Sequence, residues 1–231
     1  MKNFLHLFKK QALCLFVIFS FLFCFSAEAV NPVFSPYFKN LSGEINTADL
    51  NDVVPEVAIN GNTIHLVWLE YNFNGINKIY YRRSLDLGKT WEEPKLILSI
   101  NDGSYVRNGN YVKKLSVEGN NIHICVPNYA YYENGTARLY YIRSTDNGNT
   151  FDTPKEIAST YSGSYKRIYT SFIKAAHNRI GIVYNNDVDG IHFSYSTDNG
   201  DHFRDTLILK STEYNTSIVD FEYDGNQALI L

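Results

Sequence analysis

The chain has 231 residues, of which 45% are hydrophobic, 19% charged and 15% aromatic, with a formal net charge of −3. This composition is typical of a folded domain and excludes a disordered, collagen-like or coiled-coil chain. The 18 Tyr and 15 Phe suit pleated, half-buried surfaces, so β-structure is the first expectation. The weak negative charge gives no basis for nucleic-acid binding.

The first 29 residues predict a secretory signal peptide. Three lysines within the first ten residues precede an apolar run from Ala12 to Phe25, and Ala27-Glu28-Ala29 resembles a cleavage site. The apolar run is shorter than the roughly 20 residues of a membrane span. An uncleaved anchor and lipidation at Cys24 are the alternatives. We expect residues 30–231 to be secreted, periplasmic or at the cell surface, with no membrane attachment after cleavage.

The exported part of the sequence predicts no cofactor and no metal site. Cys125 is its only cysteine, and the alternating run Ile122–Val126 around it favours core packing. The segment Asn185–Gly190 begins like a calcium loop, but Ser196 stands where that loop requires Glu. A hairpin turn explains the segment with fewer assumptions. The oligomeric state stays open.

In chain order, the first predicted element is an isolated strand, followed by repeats of one unit. The stretch Phe34–Ser42 (FSPYFKNLS) has the same length and ending as three later stretches, each running from an aromatic residue to Ser: Trp91–Ser99, Phe151–Ser159 and Phe203–Ser211. These stretches predict outer strands. Phe34–Ser42 has no companion strands before it, so it is an outer strand without its own sheet.

Each later outer strand follows two hairpin turns and the strands that flank them. The predicted first turns are Asn60-Gly61, Gly119-Asn120, His177-Asn178 and Asp224-Gly225. The strands predicted after them are Thr63–Leu69, Ile122–Val126, Ile180–Tyr184 and Ala228–Leu231. The third strands are predicted at Ile79–Arg83, Leu139–Arg143 and Ile191–Tyr195.

Three segments at the second turn repeat the pattern Ser-x-Asp-x-Gly, with an aromatic residue three positions after the glycine. The Asp side chain should accept from backbone N–H groups, the Gly should adopt a positive φ, and the ring should fill the space between neighbouring sheets. These residues, to which we assign structural roles, are Ser84, Asp86, Gly88 and Trp91; Ser144, Asp146, Gly148 and Phe151; and Ser196, Asp198, Gly200 and Phe203.

The repeat predicts an all-β fold. Four antiparallel strands in a unit of about 45 to 60 residues are typical of a β-propeller blade. The sequence holds three such blades, the start of a fourth and the isolated outer strand at its N-terminus. We therefore expect residues 30–231 to form an incomplete β-propeller, and the sequence to be a piece of a longer protein.

The box pattern resembles the Asp-box, or bacterial neuraminidase, repeat of the sialidase superfamily. The resemblance covers nearly all of residues 30–231 and implies that the boxes lie away from any active site. Sialidases use three arginines, a Tyr–Glu pair in late blades and an Arg-Ile-Pro motif before the first blade. The segment Ser42–Pro55 contains no Arg. If the protein is an enzyme, the resemblance implies an exo-sialidase-like glycoside hydrolase, whose complete active site this sequence lacks.

Candidate ligand residues fall in the loops that should lie opposite the boxes. Strands alternate in direction, so the loops after the second and fourth strands of each blade share that edge. Two of them repeat Gly-Ser-Tyr-x-Arg, which gives Tyr105, Arg107, Tyr165 and Arg167, and Asp187 lies in another. Two converging guanidinium groups suit a carboxylate ligand. The alternative is that each Arg ties its own loop to a neighbouring blade.

Two functions remain open from the sequence. The first is an exported propeller that binds or processes glycans at the edge opposite the boxes, with a carbohydrate as its partner. The second is a non-catalytic secreted scaffold or adhesion module that binds a protein through the same edge.

Overall fold

The computed structural model describes residues 55–71, 76–101, 114–128, 136–160, 168–186, 188–210, 218 and 220–231. These residues all belong to the compact unit Ser42–Leu231. They form fourteen strands, and none lies in a helix that could span a membrane. The predicted signal peptide, residues 1–29, and the predicted strand Phe34–Ser42 lie outside the described residues.

The strands form three four-stranded antiparallel sheets and one two-stranded sheet, each paired in chain order. We call them blades 1 to 3 and partial blade 4. Blade 1 contains β1 (Glu56–Asn60), β2 (Thr63–Tyr71), β3 (Asn77–Ser84) and β4 (Lys95–Ile100). Blade 2 contains β5 (Leu115–Glu118), β6 (Asn121–Pro127), β7 (Ala137–Ser144) and β8 (Lys155–Thr160). Blade 3 contains β9 (Ile168–Ala176), β10 (Arg179–Asn186), β11 (Gly190–Ser196) and β12 (Arg204–Lys210). Partial blade 4 contains β13 (Phe221–Tyr223) and β14 (Ala228–Ile230).

The blades stack on one another in chain order. The first strand of each blade contacts the first strand of the next, from β1 to β5, β9 and β13. Alternating side chains on the middle strands fill a separate apolar core between each pair of sheets, because successive residues of a strand point to opposite faces. The prediction of an all-β, incomplete β-propeller with four-stranded blades is confirmed.

The two turns of each blade lie at the same edge, which we call the box edge. The backbone N–H of Leu87 donates to the carbonyl of Asn62 over 3.0 Å, and so joins the second turn of blade 1 to the first. The same bond joins Asn147 to Asn120 over 2.8 Å and Asn199 to Asn178 over 2.9 Å. The loops after the second and fourth strands therefore share the opposite edge, which we call the loop edge.

The outer strands begin later than the sequence pattern predicts. β4 and β8 begin at Lys95 and Lys155, four residues after the box aromatics Trp91 and Phe151. Pro94 and Pro154 stand immediately before them, and proline has no N–H to give to a ladder. In blade 3, which lacks this proline, β12 begins at Arg204, directly after Phe203.

The loops after the second strands are also shorter than predicted, because their ends belong to strands. Asn77 pairs with Tyr71, and Gly190 pairs with Asn186, so both hairpins extend further towards the loop edge. The segment with the partial calcium-loop pattern is a short hairpin connection between β10 and β11. Its hairpin prediction is confirmed, because β10 and β11 pair antiparallel up to Asn186 and Gly190.

Candidate functional site

The side chains of each box tie its turn together. In blade 2, the Ser144 hydroxyl donates to Asp146 over 2.8 Å and accepts from the Gly148 N–H over 2.9 Å. Asp146 also accepts from the N–H of Thr150 over 2.9 Å and from its hydroxyl over 2.6 Å. The box of blade 1 has the same hydrogen bonds. The groups that donate to Asp86, above all the Thr90 hydroxyl, lower the pKa of this carboxyl to about 2. The box carboxylates are therefore used within their own turns.

The box glycines serve a second purpose in blades 2 and 3, where the preceding blade lies against them. Gly148 has a φ of 84°, and a Cβ placed on it would lie 2.1 Å from the Tyr81 hydroxyl of blade 1. Gly200 has a φ of 88° and stands in the same relation to Tyr141 of blade 2. Each tyrosine thus occupies the space that a side chain would need, which makes glycine necessary for contact between blades as well as for the turn.

Both tyrosines belong to a buried pair with a histidine of their own blade. The Tyr81 oxygen lies 2.8 Å from Nδ1 of His65, and the Tyr141 oxygen lies 2.7 Å from Nδ1 of His123. Both histidines are fully buried, and the Nε2 atom of each has no hydrogen-bond partner within the described part of the chain. Burial first, and then the nearby arginine, lower the pKa of each imidazole to about 4. Both side chains are therefore neutral at pH 7.

Cations of one blade bind the box carbonyls of the next. Lys95 donates to the carbonyls of Gly148 and Asn149 over 2.7 and 3.0 Å. Lys155 donates in the same way to Gly200 and Asp201 over 2.9 and 3.0 Å. The guanidinium groups of Arg83 and Arg143 reach the carbonyls of Asn147 and Asn199, respectively. The backbone carbonyls of the boxes in blades 2 and 3 are therefore used in contacts with the preceding blade.

Blade 3 has a different surface towards partial blade 4. Strand pairing places Gly181 and Phe193 where blades 1 and 2 have the His–Tyr pair, and Tyr195 where they have arginine. A Cβ on Gly181 would lie 2.9 to 3.0 Å from Phe193, Phe221 and Tyr223. This interface is aromatic. The absence of a side chain at Gly181 leaves space for aromatic rings, whereas at Gly148 and Gly200 it leaves space for a tyrosine hydroxyl.

At the loop edge, the described residues close the bases of the loops with polar side chains. In blade 2, Asn128 bonds to Arg138 through its backbone N–H over 2.8 Å and also through its side-chain oxygen. In blade 3, Asn186 accepts from the N–H of Val188 over 2.9 Å. Near the first strands, Glu56 and Lys114 line a cavity of about 10 Å³, which is room for one water molecule.

The five candidate ligand residues predicted from the sequence, Tyr105, Arg107, Tyr165, Arg167 and Asp187, lie outside the described residues. Their roles stay predictions. The twelve box residues all lie within the described turns, at the edge away from those loops.

Sequence reasoning missed one polar cluster in blade 3, which joins the turn between β10 and β11 to the outer strand β12. It contains His192, which the sequence places on the predicted third strand Ile191–Tyr195 without any further role, together with Asp189, Asp205, Tyr184 and Ser194. The available signal was that His192 stands four residues before its box serine, where blades 1 and 2 have tyrosine.

Known proteins resemble this chain in structure but not in sequence. No protein-family model matches the sequence, and no curated protein matches it significantly. A Trypanosoma rangeli sialidase in complex with 2,3-difluoro-KDN matches with a TM-score of 0.51 and 14% identity, over 84% of this chain and 39% of that chain. A Penicillium chrysogenum α-L-arabinanase complexed with arabinobiose matches with a TM-score of 0.47 and 17% identity, over 76% and 52%. A Hadza microbial sialidase matches with a TM-score of 0.44 and 13% identity, over 71% and 34%.

The chain spans between a third and about half of the length of these matched structures. At this level of identity the T. rangeli match bears on the fold alone. The described blades therefore have the fold of the sialidase-type β-propellers.

Proposed function

We propose that the protein is an exported, sialidase-like propeller that binds or processes glycans at its loop edge. Support comes from the difference between the residues that occupy the two edges. The box edge is occupied by bonds within turns and between blades, whereas in the sequence the repeated Gly-Ser-Tyr-x-Arg segments follow β4 and β8, whose last residues lie at the loop edge. Export is proposed from the predicted signal peptide alone.

The ligand class follows from the chemistry of those segments. Arg107 and Arg167 are in the loops that lead to β5 and β9, and these two first strands lie next to each other. Two converging arginines would suit a sugar that carries a carboxylate, and tyrosines would suit the flat faces of sugar rings. The matched T. rangeli sialidase is itself described with a sugar acid bound. An acidic glycan is therefore the first candidate.

A glycan array on the longest natural form of the chain tests this proposal, with sialosides and neutral oligosaccharides side by side. We expect binding to acidic glycans, and at least about a tenfold loss of affinity for Arg107→Ala or Arg167→Ala, since a hydrogen bond to a charged group contributes about 1.5 to 3 kcal/mol. Lys89→Ala, an exposed residue at the box edge, is the matched control and should bind normally.

Circular dichroism and the unfolding midpoint of each variant distinguish the two interpretations of the arginines. Lost affinity with unchanged unfolding supports ligand binding. Lost folding in both variants means that the arginines tie the loops to the blades. No binding across acidic and neutral glycans by the well-folded protein overturns the proposal and leaves the alternative of a scaffold that binds a protein.

A further inference from the structure

His192 in β11 is held between two carboxylates. Its Nδ1 atom lies 2.7 Å from Oδ2 of Asp205, and its Nε2 atom lies 2.8 Å from Oδ1 of Asp189. The ring stacks on Tyr184 at a centroid distance of 5.1 Å, and the histidine is 7% exposed. The two carboxylates come from different elements, because Asp205 is on the outer strand β12 and Asp189 is in the turn between β10 and β11.

The two carboxylates differ in how firmly they are held. The Ser194 hydroxyl donates to Oδ1 of Asp205 over 2.6 Å, and the Tyr184 hydroxyl donates to the same atom over 3.0 Å. Among the described residues, the Asp189 side chain has a hydrogen bond only to His192, and it is 42% exposed. If one contact to the ring breaks, the fixed Asp205 retains its bond and Asp189 is released.

The contact pattern requires a proton. A neutral imidazole has one N–H, so its other nitrogen presents a lone pair. With both nitrogens within 2.8 Å of carboxylate oxygens, only the imidazolium can donate to both. Among the described residues, the charged groups that act on the ring are Asp189 from the turn and Asp205 from β12, and Tyr184 from β10 is the titratable group stacked on it.

We propose that His192 is a proton-operated latch on the turn between β10 and β11. With the ring protonated, Asp189 is bound and the turn is tied to β12 through Asp205. With the ring neutral, Nδ1–H stays on Asp205, the lone pair of Nε2 faces Asp189, and the turn opens. The latch is confined to blade 3 among the described blades, because strand pairing places Tyr80 and Tyr140 at the equivalent positions in blades 1 and 2.

The direction of the pH dependence follows from the surroundings of the ring. Burial alone would lower the pKa of His192, but the hydrogen bonds and charges of Asp189 and Asp205 outweigh it and raise the pKa above its usual 6.5. A raised pKa means that the latch stabilises the turn fully below about pH 6.5. That stabilisation is lost as the pH rises through the pKa of the folded state.

The latch is tested by the amide exchange of Val188, whose N–H donates to Asn186 within the turn. NMR follows its protection factor and the His192 ring shifts between pH 5 and 9. We expect the protection factor of Val188 to fall as the ring loses its proton. The fall should be about tenfold for each pH unit by which the contact with Asp189 raises the pKa of His192. The Gly148 amide, which donates to Ser144 in a box, is the internal control and should keep its protection.

Two variants decide the mechanism. In Asp189→Asn, the side-chain amide can donate to neutral Nε2, so the turn stays tied and the fall in protection disappears. His192→Gln removes the titrating group and should also give a flat profile. A flat profile in the unmodified protein overturns the proposal, as does an equal fall in Asp189→Asn. These measurements are made without a ligand, so the test of the latch does not depend on whether the loop edge binds a glycan.

Discussion

Gly148→Ala is expected to destabilise the protein far more than Gly88→Ala, although both glycines occupy the same box position with nearly the same φ, 84° and 87°. A left-handed alanine costs about 1–2 kcal/mol at either site. At Gly88 the nearest atom to a new Cβ is 3.5 Å away, whereas at Gly148 it is the Tyr81 hydroxyl at 2.1 Å. Tyr81 is fully buried and cannot retreat, so overpacking adds about 1–3 kcal/mol or more.

Denaturant unfolding of the two variants measures this difference directly. Gly200→Ala, which meets Tyr141 at 2.1 Å, should behave like Gly148→Ala. Adding Tyr81→Leu shortens the obstructing side chain, so in that background the cost of Gly148→Ala should fall towards that of Gly88→Ala. Equal costs at Gly88 and Gly148 would contradict the contact between blades.

Acidification is expected to weaken the protein between about pH 6.5 and pH 4, through His65 and His123. Both are neutral in the folded state with a pKa of about 4, while the unfolded chain takes up their protons near pH 6.5. For a base with a lowered pKa, the stability is fully present above the unfolded pKa and declines as the pH falls towards the folded one. The loss is on the order of 2 kcal/mol for each histidine.

The free energy of unfolding, measured by urea at half-unit steps of pH, tests this expectation. The double variant His65→Asn/His123→Asn removes both titrations, and each asparagine places a polar atom near the former Nδ1, within reach of Tyr81 or Tyr141. Its stability should decline less between pH 6.5 and 4. His177→Asn, at an exposed position, is the control. A double variant with the same decline as the unmodified protein would show that the pairs do not set acid stability.

The sequence predicted the features that depend on local chemistry. Each box was recognisable because Ser144, Asp146 and Gly148 bond to one another within one turn, so their spacing alone carries the information. The same holds for the order of strands, since antiparallel neighbours joined by short turns pair in chain order.

Features that depend on partners distant in sequence were missed. The role of Tyr81 at Gly148 joins residues of different blades, and no local pattern marks it. The latch needs Asp205, which pairs with Ser194. In blades 1 and 2 the equivalent position is held by Pro94 and Pro154, each directly before the residue of the last ladder pair. Asp205 can join the ladder because β12 starts directly after its box aromatic. The ligand candidates Arg107 and Arg167 stay predictions, because their loops lie outside the described residues.

If ligands bind at the loop edge while the box edge serves only the turns and the contacts between blades, NMR shifts on adding a sugar should be confined to the loop edge. 3′-Sialyllactose, with arabinobiose in parallel, is titrated into the isotope-labelled protein. We expect shifts at Asn77, Asn128 and Thr160 on the loop edge, and none at the box amides of Gly88, Gly148 and Gly200. Shifts at the box glycines, with the loop edge unchanged, would contradict this expectation.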